Sequence, residues 1–199
     1  MTTTIGPHPD PPFDFATRPL PITIFRRCWF RIHGLARDPL YFGRSGDNRF
    51  DAPVGEFGVL YAGKDEHCSF IEVFGHATGV RFVEQGELAA RGLARIAPRR
   101  PLRLVNLTRE GLARLGADAR LTSGESYGAA HRWALAIHEH PRRPDGIAYA
   151  ARHDPSRVCA ALFERASADL SVTRLGSLAD PAHAALLATI LDTYKFGLV

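Results

Sequence analysis

The stretch Arg44-Ser-Gly-Asp-Asn-Arg49-Phe50-Asp-Ala-Pro53-Val-Gly-Glu-Phe57-Gly-Val-Leu-Tyr61-Ala-Gly-Lys-Asp65-Glu-His-Cys-Ser-Phe70-Ile-Glu72-Val-Phe74 sets a cation, an aromatic and a carboxylate in three kinds of local structure. Gly, Pro, Asp and Asn punctuate its first half, which reads as a loop carrying Arg49. Phe57 to Ala62 is a short apolar run with the length of a buried strand, and Tyr61 falls near its end. Asp65 is placed to cap a helix running to about His76, with Phe70, Val73 and Phe74 on its apolar side and Glu72 at the edge of that face. Loop, strand end and helix can converge on one cleft.

Upstream, Ile24, Cys28, Phe30 and Ile32 alternate in part with Thr23, Arg27, Trp29 and Arg31, so Ile22 to His33 reads as one strand with Arg31 pointing away from Phe30 and Ile32. The segment Gly34 to Gly55 is long for a loop, and such segments are functional or disordered. Residues 1–21 hold six prolines and no apolar periodicity, which predicts a disordered or surface-draped arm ahead of one domain over residues 22–199. Downstream, Glu87 to Ile96 carries divided signals. Leu102 to Leu107 reads as a strand, followed by a short helix capped by Thr108 and closed by Gly116. A further helix starts at Ser123 or Ser126, passes Trp133 and ends at His140 before Pro141. Two more strands, Ile147 to Ala150 and Val158 to Phe163, flank the polar turn Arg152-His153-Asp154-Pro155. Asp180-Pro181 opens a last amphipathic helix through Leu187, Ile190 and Tyr194. Interleaved short pieces of this kind predict a single compact α+β domain, with short mixed β-sheets and flanking helices.

Composition narrows the function classes. The 199 residues are 45% hydrophobic and 23% charged with a net charge of +4, enough apolar material for a sizeable core. Lysine occurs only at Lys64 and Lys195, so arginine carries nearly all the positive charge, and its planar fork suits phosphates and carboxylates alike. Cys28, Cys68 and Cys159 are odd in number and lack metal-ligand spacing, which predicts reduced thiols and no metal site. The absence of a long apolar span, or of a charged start followed by an apolar core, leads us to expect a soluble, cytoplasmic protein with no membrane partner. The run Arg91, Arg95, Arg99, Arg100 and Arg103 lacks the aromatics that base stacking requires, so no direct nucleic-acid binding is expected from it. His138 and His140 read as cations at a helix C-terminus.

These residues resemble the RES domain, a toxin family named for an arginine, a glutamate and a serine, with a fold related to that of ADP-ribosyltransferases. The resemblance rests on Phe30-Arg31-Ile-His, on Asn48-Arg49-Phe50 with Pro53-x-Gly55-Glu-Phe-Gly-Val-Leu-Tyr61, on Phe70-Ile-Glu72, on Arg103-Leu-Val-Asn-Leu, on Trp133, and on Asp145-Gly-Ile-x-Tyr-x-Ala-Arg152-His153-Asp154. It implies an enzyme that cuts the nicotinamide–ribose bond of NAD, with water or phosphate as acceptor. NAD is then the substrate, inorganic phosphate a candidate co-substrate, and no prosthetic group is needed. The resemblance also implies a helix-turn-helix antitoxin of the Xre type as partner. The arginine run then reads as a solvated face, or as part of an antitoxin or homo-oligomer interface.

By position the resemblance assigns catalysis to Arg49, Tyr61 and Glu72, and NAD binding to Arg31, Phe50, Ala151, Arg152 and His153. Ala151 stands where the family serine is expected. Either a neighbouring hydroxyl such as Ser156 or Ser126 substitutes, or catalysis is weakened or lost. Two further readings follow: a catalytically weakened nucleotide- or antitoxin-binding module, and a protein ADP-ribosyltransferase with Glu66 activating the acceptor. The chemistry fits the residue types. Losing a pyridinium builds positive charge on ribose, which a carboxylate stabilises, and a neutral leaving group needs no general acid. Tyr61 can stack on nicotinamide or hydrogen-bond a ribose oxygen, and the sequence leaves both open.

Overall fold

Period-two alternation sorts side chains onto two buried faces of a sheet in the computed structural model, which describes residues 8–199. Eight strands form that sheet: β1 Ile22–Phe25, β2 Trp29–Gly34, β3 Val59–Gly63, β5 Arg91–Pro98, β6 Leu102–Leu107, β7 Gly146–Ala150, β8 Val158–Phe163 and β9 Leu170–Arg174. Their order is β1-β6-β7-β8-β3-β2-β5-β9, and every junction is antiparallel except β6–β7. The short strands β4 Phe82–Val83 and β10 Gly197–Leu198 pair separately, in parallel. On one face Val105, Leu107, Ile147, Ala161 and Phe163 pack against Trp133, Ala134 and Ile137 of helix α5 Gly128–Glu139. On the other, Leu102, Leu104, Ala148, Ala160 and Leu162 join Trp29 and Ile96. A third cluster joins helix α1 Glu66–Phe74 to α6 Ala184–Tyr194 through Phe70, Ile71, Leu187 and Ile190.

The strand expected from Ile22 to His33 is two strands. The exposed pair Arg26-Arg27 breaks it, and the chain folds back so that Phe25 and Trp29 stack at 4.0 Å. β1 thereby reaches the sheet edge beside β6, whereas β2 lies between β3 and β5. The divided signals of residues 87–96 resolve into helix α2 Gln85–Ala89 and the long strand β5. Gly92, Leu93 and Ala94 are buried in succession there, which erases the alternation. Thr108 does not cap the helix α3 Glu110–Leu115; instead Asn106 Oδ1 accepts from both the Thr108 backbone N–H and its hydroxyl. After the short helix α4 Arg120–Ser123, α5 starts at Gly128 without a side-chain cap, so neither Ser123 nor Ser126 serves as one.

The arm is draped over the surface rather than disordered where it is described, from residue 8 onward; residues 1–7 of the predicted arm lie outside the described residues. Phe15 and Leu20 are buried, Trp133 Nε1 donates to the Pro9 carbonyl at 2.9 Å, and Asp10 pairs with Arg132 at 2.6 Å.

One irregularity positions the site. β2 and β3 pair at a single point, Phe30 with Gly63, and splay apart from there. The helix α1 docks across that point: Ser69 Oγ donates to the Phe30 carbonyl at 2.8 Å. A Cβ on Gly63 would stand 2.8 Å from Cys68 Cβ and from the Ser69 nitrogen, so this close approach requires glycine.

Candidate active site

The splay between β2 and β3 opens a cleft of about 590 Å³. Ser69, Glu72 and Val73 line it, at the i, i+3, i+4 spacing that marks one side of a helix, and His76 joins them from just past the end of α1. α1 begins as the sequence predicts, with Asp65 Oδ1 accepting from the Cys68 N–H at 2.8 Å. Glu72 therefore projects into the cleft one turn after the docking point. Burial raises its carboxyl pKa; backbone N–H groups of His153 and Arg152 and the neighbouring His76 and Arg49 oppose that rise. The His153 N–H reaches Glu72 Oε1 at 3.3 Å.

Facing this carboxylate is Arg49, only 7% exposed. Its Nη1 donates to the Gly124 carbonyl at 2.8 Å, and its guanidinium lies over the Tyr127 ring, 4.6 Å from the centroid. Nη2 is buried and has no partner. Burial lowers the pKa of this group, and the aromatic and acidic neighbours only partly offset it. No ion pair among the described residues joins Arg49 to Glu72. The cleft thus holds a buried cation with an unsatisfied donor opposite a half-buried carboxylate, an arrangement that an acceptor-bearing ligand would complete.

The loop that carries Arg49 is pinned. Asp51 is fully buried; its Oδ1 accepts from the Tyr61 hydroxyl at 2.9 Å, and its Oδ2 from the backbone and side-chain N–H groups of Asn48 at 3.0 and 3.1 Å. The Tyr61 oxygen in turn accepts from the Phe50 N–H at 2.9 Å. Burial, reinforced by Asp51, pushes the Tyr61 pKa far up. The Tyr61 ring lines the cleft while its hydroxyl is committed to the loop. At the outer end, Arg44 donates to both oxygens of Glu164 at 2.6 Å.

Of the residues predicted for the site, Arg31, Arg49, Tyr61, Glu72 and Arg152 all line the cleft. Arg31 comes from β2, where its Nη1 donates to the Tyr41 carbonyl at 3.1 Å; burial, with Arg37 nearby, lowers its pKa to about 10. Phe50 and Ala151 are not in the cleft wall. Both are core residues, the Phe50 ring packing edge-on to Tyr149 at 4.9 Å. His153 sits behind Glu72 and His76, and contributes its backbone N–H to the carboxylate. Neither hydroxyl considered as a stand-in for the family serine reaches the cleft: Ser126 is exposed, and Ser156 Oγ donates to Asp154 at 2.6 Å. Glu66 is likewise absent from the lining. Sequence reasoning does not single out Asp51, Tyr127, Tyr149 or Arg37; of these Asp51 adjoins the quoted motif, where a loop aspartate signals only a turn.

Among the described residues no group of three His, Cys, Asp or Glu is placed to hold a metal, and no helix is long and apolar enough to cross a membrane. Cys68 and Cys159 are free thiols with sulfurs 3.2 Å apart, Cys159 lining the cleft.

Three comparisons bear on this geometry. The family profile of the RES domain matches residues 28–181. A protein of Sinorhizobium fredii (strain NBRC 101917 / NGR234), described as probable toxin y4kH, is 30% identical over 113 residues, covering 57% of this chain and 87% of that protein. A chain of the M. tuberculosis MbcT–MbcA toxin–antitoxin complex superposes with a TM-score of 0.64 at 16% identity, covering 86% of this chain and 92% of its own. That likeness establishes a shared fold.

Proposed function

From the premise that the chain belongs to the RES domain family, we propose that it is a toxin of a toxin–antitoxin pair that cleaves the nicotinamide–ribose bond of NAD, with water or phosphate as acceptor. The observation that carries the reading is the buried Arg49, whose partnerless Nη2 shares a cleft with the carboxylate of Glu72. Cleavage of a pyridinium glycoside develops positive charge on the ribose, and Glu72 stands ready to stabilise it. Two paired carboxylates are unnecessary because nicotinamide leaves as a neutral ring. Arg31, Arg49 and Arg152 surround the cleft with guanidinium groups suited to a pyrophosphate. Tyr61, its hydroxyl held by Asp51, offers a ring face for stacking. Because the cleft already provides charge stabilisation, alanine at position 151 is compatible with activity.

A helix-turn-helix antitoxin of the Xre type is the partner we expect. The alternative of ADP-ribose transfer to a protein loses its candidate acceptor base, since Glu66 does not line the cleft.

The test is nicotinamide release from NAD, in phosphate and in phosphate-free buffer. Glu72→Gln should lower the rate by about 10² to 10³, the usual effect of removing an electrostatic stabiliser. Dependence on phosphate would identify phosphorolysis. Equal silence of wild type and variant while NAD still binds would refute the enzyme reading and leave a binding module.

A further inference from the structure

The arginine run that stands out in the sequence is scattered by the fold. Arg91 lines the cleft and Arg95 lies midway along β5. The other three, Arg99, Arg100 and Arg103, are gathered with further arginines at the opposite end of the main sheet. Cleft residues Tyr149 and Cys159 sit where β7 ends and β8 begins, whereas Gly146 and Leu162 pair at the far end of the same two strands. There the β1–β2 turn brings Arg26 and Arg27, the β5–β6 turn Arg99, the start of β6 Arg103, and the α5–β7 loop Arg142 and Arg143.

This face has an internal strut. Arg100 donates to both carboxylate oxygens of Asp145 at 2.8 and 2.7 Å and to Asp169 at 2.8 Å. Asp145, whose side chain is 6% exposed, also accepts from the Arg103 N–H at 2.7 Å, and Arg103 Nη1 donates to the Arg142 carbonyl at 3.0 Å. Both local aspartates are thereby occupied by Arg100. Arg26, Arg27, Arg99, Arg142 and Arg143 are exposed, and none makes an ion pair among the described residues. Glu139, at the end of α5, borders the face.

We infer that this end of the sheet docks the phosphate backbone of a nucleic-acid duplex. Arginine forks match phosphate oxygens, and backbone contact requires fixed cations only. A protein partner would need apolar or aromatic anchors at the centre of the face, but the large apolar residue there is Ile24, at its border. A single strand would need stacking platforms; the exposed aromatics Phe13, Tyr41 and Phe82 belong to the arm, the cleft rim and the small sheet. The lack of aromatics, which argues against base stacking, leaves backbone contact open.

The experiment is fluorescence anisotropy of a labelled random-sequence DNA duplex with the full chain, between about 50 and 200 mM salt. If the five free arginines each neutralise one phosphate, log K should fall against log salt with a slope of about −4.5. The triple variant Arg27→Glu, Arg99→Glu, Arg142→Glu should bind about tenfold or more weakly with a shallower slope. The corresponding glutamine triple should fall between it and wild type. A variant of equal charge, Arg95→Glu, Arg109→Glu, Arg114→Glu, should stay close to wild type. Equal losses in the two glutamate triples would reduce the effect to net charge and overturn the proposal. Absence of duplex binding at the low-salt end would also overturn it, as would tighter binding of poly-glutamate than of the duplex, which would assign the face to acidic protein surfaces. None of these substitutions touches the cleft, so NAD cleavage is read independently.

Discussion

Tyr61 separates two roles that its residue type allows, because its hydroxyl and its ring face different surroundings. The hydroxyl accepts from Phe50 N–H and donates to Asp51, whereas the ring borders the cleft. Tyr61→Phe should therefore cost about 1–3 kcal/mol in urea unfolding, through an unpaired N–H and a buried carboxylate short of one donor. Under the proposed NAD cleavage, the KM for NAD should stay within about threefold, less than 1 kcal/mol of binding. A large KM change at unaltered stability would place the hydroxyl on the substrate instead. Glu72 carries the opposite trade. Its folded pKa is raised by burial, so its contribution to stability is present below the ordinary carboxylate pKa and is lost as pH rises through the raised value. At neutral pH the charged side chain is thus a burden on the fold. Glu72→Gln should raise Tm while activity falls, each kcal/mol relieved being worth about 2–4 °C in a chain of this size; a lower Tm in calorimetry would contradict the burial argument. Arg49 and Glu72 were reached through the resemblance to the RES domain rather than from residue type alone, and both line the cleft. Asp51 was not reached, since only the fold shows that a loop aspartate is wholly enclosed.

The helix α1 was recoverable from sequence because its cap, apolar side and length are all local. β5 and β9 were not, since their evidence lies in pairing with distant strands: β5 is buried between β2 and β9 and loses the alternation that marks a half-exposed strand. The break at Arg26-Arg27 was hidden for a related reason, because alternation carries across it although the two halves join different partners. Helix α5 shows how tertiary packing overrides local charge logic. His138 stacks on Phe57 at 4.0 Å and meets Phe163 edge-on, so it is no cationic helix end; burial, with Arg165 adding like charge, lowers its pKa from 6.5 to about 4. His140 is buried as well, with Nδ1 accepting from Arg142 N–H. For His138 the depressed pKa means stability fully present above about 6.5 and lost as pH falls through 6.5 toward 4. Arg143 works with Arg165 against the cation, whereas Glu164 and Glu56 favour it. His138→Phe keeps an aromatic ring and removes the titration. Its urea midpoint should change less between pH 7 and pH 5 than that of wild type; equal acid sensitivity would assign the effect to other groups.

Across the whole molecule, the arm, α5 and the Arg49 loop form one mechanical chain. Phe15 packs edge-on to Trp133 at 5.4 Å and to His140 at 5.7 Å, while Trp133 Nε1 holds the Pro9 carbonyl. From the opposite side of α5, His131 Nε2 contacts the Asn48 carbonyl at 2.9 Å, and Tyr127, just ahead of the helix, supports the Arg49 guanidinium. The proline-rich arm therefore braces the cleft it does not touch, and its dense prolines reduce the entropy lost on draping. Phe15→Ala should cost about 3 kcal/mol by removing a buried ring. Because the brace acts on α5, it should also raise the KM for NAD by roughly fivefold, the equivalent of about 1 kcal/mol of binding, with kcat little changed since α1 and Glu72 stand on separate contacts. The tryptophan emission should shift to the red, reporting Trp133, because Trp29 is fully buried in the other core. A variant with lower stability but unaltered KM and emission would show that the arm only thickens the core, and that the cleft keeps its shape without it.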